Sequence, residues 1–249
     1  MDQTLFLLLL FSIGFLASFI GNFISGGISL VGVSSMLFFG MPAHLALATQ
    51  SVGTLGWRLG GLREFWKAKK IIWNLVVPLA IFAFIGSVIG SHILVSTNEA
   101  IINKLVSFVI LLFIPVSLVK KNLGVERIVV SKTKKYLGYV CYFLASVWTG
   151  FFSAGAGIFF LYIYMYFFGL TILELKGTDK IPGVFLDIGS IIVFAFSGLL
   201  HPVYIAIYFI GTFLGSIIGA KYAIKLGDRW LRIIIMITIA LFSLKLLLK

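Results

Sequence analysis

Long apolar runs recur along this chain, and a helix needs about 20 such residues to cross about 30 Å of hydrocarbon. Leu5 to Ile24 is long enough to span, Ser25-Gly26-Gly27 interrupts it, and Ile28 to Phe39 is too short to span before Gly40-Met41-Pro42 stops it. Ala43 to Leu62 is a small-residue stretch carrying Thr49, Gln50, Ser51, Thr54 and Arg58, which reads as a helix buried against protein. Ile71 to Ile93 and Ile101 to Val119 are ordinary spans joined by a turn at Val95 to Glu99, and a polar connector follows from Lys120 to Lys135. The order then recurs: Tyr136 to Phe152 is long, Ser153 to Gly157 interrupts, and Ile158 to Phe168 is short and ends at Gly169. Thr178 to Leu200, Val203 to Ala223 and Arg232 to Leu248 complete the set.

Of 249 residues, 61% are hydrophobic and 11% charged, against about a quarter charged in soluble domains. The chain is therefore expected to be an all-α integral membrane protein. Cys141 is the only cysteine and cannot pair within the chain, which excludes a disulfide scaffold or a zinc module. The net charge of +12 would suggest nucleic acid in a soluble protein, but here the cations are topology signals and no nucleic-acid partner is expected. Asp2 before the first run, with no basic leader, fits a retained first helix and not a cleaved signal.

The recurrence holds residue by residue. Ala17-Ser18-Phe19-Ile20-Gly21-Asn22-Phe23-Ile24-Ser25-Gly26-Gly27 aligns with Ala145-Ser146-Val147-Trp148-Thr149-Gly150-Phe151-Phe152-Ser153-Ala154-Gly155, at an offset of 128. Met36 to Gly40 aligns with Met165 to Gly169, and Gly86 to Gly90 with Gly215 to Gly219, both at 129. A nearly constant offset over three ordered blocks reads as a duplication. It gives a first repeat over residues 1–119, a basic connector over 120–135 and a second repeat over 136–249.

Charge orients the repeats. Arg63, Lys67, Lys69 and Lys70 precede the span at Ile71, and Lys120, Lys121, Arg127, Lys132, Lys134 and Lys135 lie in the connector, so both loops are expected on the cytoplasmic side. In the second half His201-Pro202 is nearly uncharged, while Lys221, Lys225, Arg229 and Arg232 crowd a loop whose counterpart has only Lys104. The halves are thus expected to be inverted, each a Gly-broken helix pair plus three spans, about 8 to 10 helical segments in all. With Lys176 and Lys180 also inside, sixteen of the twenty cations are cytoplasmic, Lys104, Lys245 and Lys249 external, and Arg58 within the bundle. Both termini are then external to the cell membrane.

The glycine-interrupted first helix, the short helix ending Phe38-Phe39-Gly40, and Pro42-Ala43-His44-Leu45-Ala46-Leu47-Ala48-Thr49 running into a small-residue helix carry a resemblance. The chain resembles the TauE/SafE sulfite exporter family of membrane permeases over essentially its whole length. The resemblance implies secondary transport of sulfur-containing or organic anions such as sulfite, sulfonates or sulfoacetate, commonly outward and driven by an ion gradient. Ala154 and Ala156 depart from the glycine-richer pattern usual there, which argues against a strictly symmetric site.

The residues point to an anion independently. A helix broken at glycine leaves N–H groups that must find partners inside the membrane, and the helix dipole there favours negative charge. Asn22, Ser25, Gly26, Gly27 and Ser29 in the first half, and Ser153, Ala154, Gly155 and Gly157 in the second, form two such tips. Related by inversion, they are expected to meet near the midplane, where inverted transporters place their substrates. The plainer alternative is that these glycines only allow close helix packing. A second cluster is Thr49, Gln50 and Thr54, aligned with Thr178, Asp179 and Lys180, read either as helix caps or as substrate contacts. Lys180 either neutralises an anion or is a loop lysine.

Arg58 and Asp187 are equivalent at offset 129, and each buried charge needs a partner. They are expected to pair across the repeat interface as a moving element, with a static strut or a snorkelling Arg58 as alternatives. His44, His92 and His201 read as interface residues, so no metal or other cofactor is expected. Trp57, Trp66, Trp73 and Trp230 read as interface or packing aromatics. Too few nucleophiles and bases lie in the spans for an enzyme. The expected partners are the bilayer, a small anionic substrate and a coupling proton or cation; a passive anion channel is the alternative.

Overall fold

The computed structural model describes residues 3–98, 101–102, 124–153 and 156–247, without side chains at 236 and 238–247. The expected span Ile101 to Val119, the first part of the connector, and the tip residues Ala154 and Gly155 lie wholly or mostly outside the described residues. Within them the chain is all helical: α1 Gln3–Gly21, α2 Gly27–Phe38, α3 Ala43–Lys67, α4 Trp73–Val95, α5 Lys132–Phe151, α6 Gly157–Tyr162, α7 Ile172–Thr178, α8 Lys180–Phe196 and α9 Pro202–Leu247. Helix α6 runs on as a π-helical turn over Ile163–Phe167, and α9 breaks at Gly227. Among the described residues α1, α4 and Pro202–Ile235 of α9 are long and apolar enough to cross a membrane, and Gly157–Phe167 with α7, bent by 115°, forms a fourth candidate.

The punctuation of the chain repeats with its sequence. Helix α2 closes in a Schellman motif, in which Gly40 takes a left-handed φ of 84° while the Met41 and Gly40 amides return to the carbonyls of Met36 and Leu37. Its counterpart Gly169, at φ 70°, ends the π-helical turn. Helix α3 closes the same way at Lys69 (φ 54°), and α8 at the equivalent Gly198 (φ 69°). Between α7 and α8 only Asp179 departs from the helix assignment, and its dihedrals are helical. Residues 172–196 therefore form a nearly continuous helix equivalent to α3, and Pro202 opens α9 where Trp73 opens α4.

Several expected boundaries shift, and the span expected over Thr178 to Leu200 runs over residues 172–196. Helix α5 begins at Lys132, capped by Ser131 accepting from the Lys134 amide, so the last connector lysines belong to a helix. Helix α3 runs past Leu62 to Lys67, because Arg63, Glu64 and Lys67 can face water at its end while Phe65 is buried.

Packing is exchanged between the halves. Glycines 211, 215 and 219 of α9 lie on the backbone of Phe11, Phe15 and Phe19 of α1, so the two helices run parallel. Glycines 53, 56 and 60 of α3 lie in order on Tyr208, Phe209 and Phe213, which makes α3 parallel to α9 as well. In the other group, Gly86 and Gly90 of α4 lie on Ser146 and Val147 of α5. Hydroxyl groups add hydrogen bonds between helices: Ser18 donates to the Thr212 carbonyl, Ser91 to that of Gly150 (3.2 Å) and Ser216 to that of Trp57 (2.6 Å). Close approach of this kind replaces the hydrophobic drive that is missing between helices in lipid. Helices α3 and α8 cross antiparallel, Thr54 and Arg58 meeting Asp187 while Gly61 meets Lys180.

A side chain at Gly90 would collide with the Val147 carbonyl. Gly90→Val is expected to cost about 1–3 kcal/mol, read as an earlier thermal transition in detergent, whereas Val77→Ala on the exposed face of α4 leaves it within error.

Candidate functional site

The two breaks in the helices meet. A Cβ at Gly157 would collide with the amide nitrogen and Cα of Gly26, so the start of α6 lies against the turn that opens α2. Gly26 holds a left-handed φ of 80°, which turns the chain between α1 and α2. Beside this contact lies a cavity of about 70 Å³, with room for a few waters or one small anion.

The cavity collects polar groups from both halves. Ser25, Gly26 and Ser29 line it from the first break, Thr149, Ser153 and Gly157 from the second, Ser51, Thr54, Trp57 and Arg58 from α3, and Lys176, Asp179, Asp187 and Ser190 from α7 and α8. Arg58 Nε donates to Asp187 Oδ2 at 2.8 Å, and its Nη1 donates to the Asp179 carboxylate and, at 3.0 Å, to the Asp179 carbonyl. Thr54 Oγ1 donates to Asp187 Oδ1 at 2.9 Å. The hydroxyls of Tyr164 (3.2 Å) and Tyr142 (3.5 Å) point at Asp179 Oδ1. Gly183 makes room for this network, since a Cβ there would sit inside the Arg58 guanidinium.

Several donors are left over. Ser25, Ser153 and Trp57 line the cavity, and their hydroxyls and indole N–H are buried with no hydrogen-bond partner among the described residues. Buried polar groups in this condition cost free energy and in native structures are nearly always satisfied by something.

Other expected site residues lie elsewhere. Asn22 donates to the Ser18 carbonyl and to Ser216 Oγ, joining α1 to α9. Gln50 accepts from the Tyr208 hydroxyl at 2.7 Å in the gap left by Gly32, away from the cavity. Thr49 lies inside α3, so it caps nothing; Thr178 ends α7 and accepts from the Ile72 amide at 2.9 Å. Asp179 precedes α8 without a capping hydrogen bond, because its carboxylate is taken by Arg58 and the two tyrosines. Gly27 is the buried first residue of α2.

The lysines depart most from expectation. Neither Lys176 nor Lys180 is a loop residue: Lys180 is wholly buried, its ammonium 3.4 Å from the Trp57 ring centre and donating to the Trp57 carbonyl at 3.1 Å. Lys176 is 4% exposed and donates to the Gly21 carbonyl at 3.3 Å. Counting cations by loop treats every lysine alike, which is why Lys176 was missed. Trp57, read as an interface aromatic, also lines the cavity, and only its place one residue before Arg58 could have suggested it.

Residues 10–246 match the family described as Sulfite exporter TauE/SafE. The chain belongs to the TauE/SafE family. Similar proteins are a probable membrane transporter protein of Haemophilus influenzae, 26% identical over 93% of this chain and 90% of its own length, the probable membrane transporter protein YfcA of Escherichia coli, 23% identical over 99% and 91%, and the probable membrane transporter protein YdhB of Bacillus subtilis, 25% identical over 98% and 99%. No solved structure matches. Family and fold together make this TauE/SafE member a multi-pass membrane protein of a transporter family.

Within the Arg58 network the two ends are unequal. Arg58→Met strands the buried Asp187 and the partly buried Asp179 and is expected to cost about 3–5 kcal/mol, whereas Asp187→Asn leaves Arg58 paired with Asp179 and costs less than half of that; thermal unfolding of the detergent-solubilised protein distinguishes them. Exchanging the charges at 58 and 187 is expected to recover part of the loss but not all, because Asp179 then faces a second acid.

Proposed function

We propose that this chain is a secondary transporter that moves a sulfur-containing or small organic anion, such as sulfite, a sulfonate or a sulfoacetate-like molecule, across the cell membrane. It works by alternating access, as export coupled to a proton or cation gradient. The observation that carries the reading is the meeting of Gly26 and Gly157 beside a cavity lined by Arg58, Lys176 and unpartnered donors. Such a place offers an anion hydrogen bonds and positive charge in a medium that otherwise penalises it. Ser25, Gly26, Ser29, Thr54, Arg58, Ser153, Gly157, Asp179 and Asp187 frame the substrate in this reading, with Ala154 and Gly155 assigned to it from the sequence.

We read the two halves as inverted repeats, the arrangement that lets one site be exposed to each side in turn. Three features support it: equivalent helices α3 and α8 are antiparallel, equivalent pairs α1–α9 and α5–α4 are each parallel, and the Schellman turns recur at offset 129. The same directions agree with the loop charges, under which the basic loops face the cytoplasm and both termini face out. The description of the family as a sulfite exporter supports the substrate class.

The test is uptake of labelled sulfite and methanesulfonate into proteoliposomes, with unlabelled anion inside and with and without a pH gradient. Saturable uptake accelerated by internal anion is expected; flux that never saturates and shows no counterflow marks a channel. Gly157→Ala, which presses the second break into the first, is expected to slow uptake about tenfold or more.

A further inference from the structure

The charges around the cavity are unevenly used. Arg58 is held by both Asp179 and Asp187, and those carboxylates are further occupied by Thr54, Tyr142 and Tyr164. Lys180 is enclosed between the Trp57 ring, the Phe65 ring and the Trp57 carbonyl, and does not line the cavity. Lys176 is different. It lines the cavity and, among the described residues, lies within 4.0 Å of no carboxylate and has one hydrogen bond, to the carbonyl of Gly21, itself a lining residue. An ammonium has three donors, so two have no partner among the described residues. Ser25, 93% buried, and Trp57 line the same cavity, and the Ser25 hydroxyl and the Trp57 indole N–H have no partner among the described residues.

The reading of this cavity as an anion carrier can be taken one step further. We propose that Lys176 is the counter-charge of the transported anion, and that the transported form carries a single negative charge. Lys176 supplies the charge, and Ser25 and Trp57 supply hydrogen bonds to the anion's oxygens. The cluster of buried Arg58, Lys176, Lys180 and Asp187 with partly buried Asp179 carries one net positive charge with every group ionised, Lys180 counted although it stands behind Trp57 and outside the cavity. A monoanion brings it to neutrality, whereas a dianion leaves uncompensated negative charge in a place where desolvation is costly. The cavity volume of about 70 Å³ also suits a one-headed anion.

The inference rests on the carrier reading, and one experiment separates the two. Proteoliposomes holding the full chain are assayed for uptake of methanesulfonate, a monoanion, and of sulfoacetate, a dianion, for the wild type, Lys176→Met and Lys176→Arg. Methanesulfonate is expected to be taken up at least about tenfold faster than sulfoacetate at equal concentration. Its uptake is expected to fall about a hundredfold in Lys176→Met, through a raised KM, and to recover substantially in Lys176→Arg. Wild-type uptake of neither probe overturns the carrier reading itself. Uptake of methanesulfonate that Lys176→Met leaves intact overturns the role of Lys176, and sulfoacetate carried as fast as methanesulfonate overturns the single charge. The wild-type comparison needs no variant to fold, so the proposal stands or falls even where Lys176→Met does not.

Discussion

The crossing of α3 and α8 is held by Arg58 and Asp187, and the other features of the site are arranged around that contact. The two residues stand 129 positions apart, the offset of the sequence recurrence, and touch each other. Where equivalent positions meet, identical residues would set like against like, and two buried arginines or two buried aspartates would repel at close range. Opposite charges at this one place turn the repulsion into an ion pair. Desolvating two charges is expensive and is offset only by full hydrogen bonding, and Thr54, the Asp179 carboxylate and the space left by Gly183 complete it.

With the crossing fixed, the breaks in the chain follow. Helices α2 and α6 begin beside each other, and glycine at 26 and 157 lets the backbones touch. The cavity is what remains when two turns meet a wall of polar side chains. With the carboxylates taken by Arg58, Thr54 and the tyrosines, Lys176 is the lining cation with no carboxylate within 4.0 Å among the described residues, which favours an anionic guest. Glycine-lined packing of α1 and α3 on α9, and of α4 on α5, surrounds this centre with parallel helix contacts, leaving apolar faces such as Val77, Ile81 and Ile85 of α4 outward for lipid.

Much of this was legible in the sequence. The breaks at Ser25-Gly26-Gly27 and after Ser153, the offset of 129, and the pairing of Arg58 with Asp187 all follow from periodicity and from the need of buried charge for a partner. What was not legible depended on partners far away in the chain. Gln50 and Thr49 look like cavity residues because they are polar, but Gln50 is taken by Tyr208, and Leu79 stands 129 positions before it, so the sequence offset gives no warning of it. Lys176 and Lys180 look like loop cations because charge counting ignores where a bend directs a side chain; the 115° bend before α7 carries Lys176 inward. Trp57 is one of several tryptophans, and only packing shows that its ring holds Lys180 while its N–H is free.

The central claim is that the meeting point of the two breaks is the substrate site and is reached from both sides of the membrane. A single cysteine at Ser25, in a chain whose Cys141 is replaced by serine, tests it through labelling by a membrane-impermeant thiol reagent applied to either face of sealed vesicles. The account predicts labelling from both faces, slowed in each case by saturating methanesulfonate. Labelling from one face only, or labelling that the anion leaves unchanged, would contradict it.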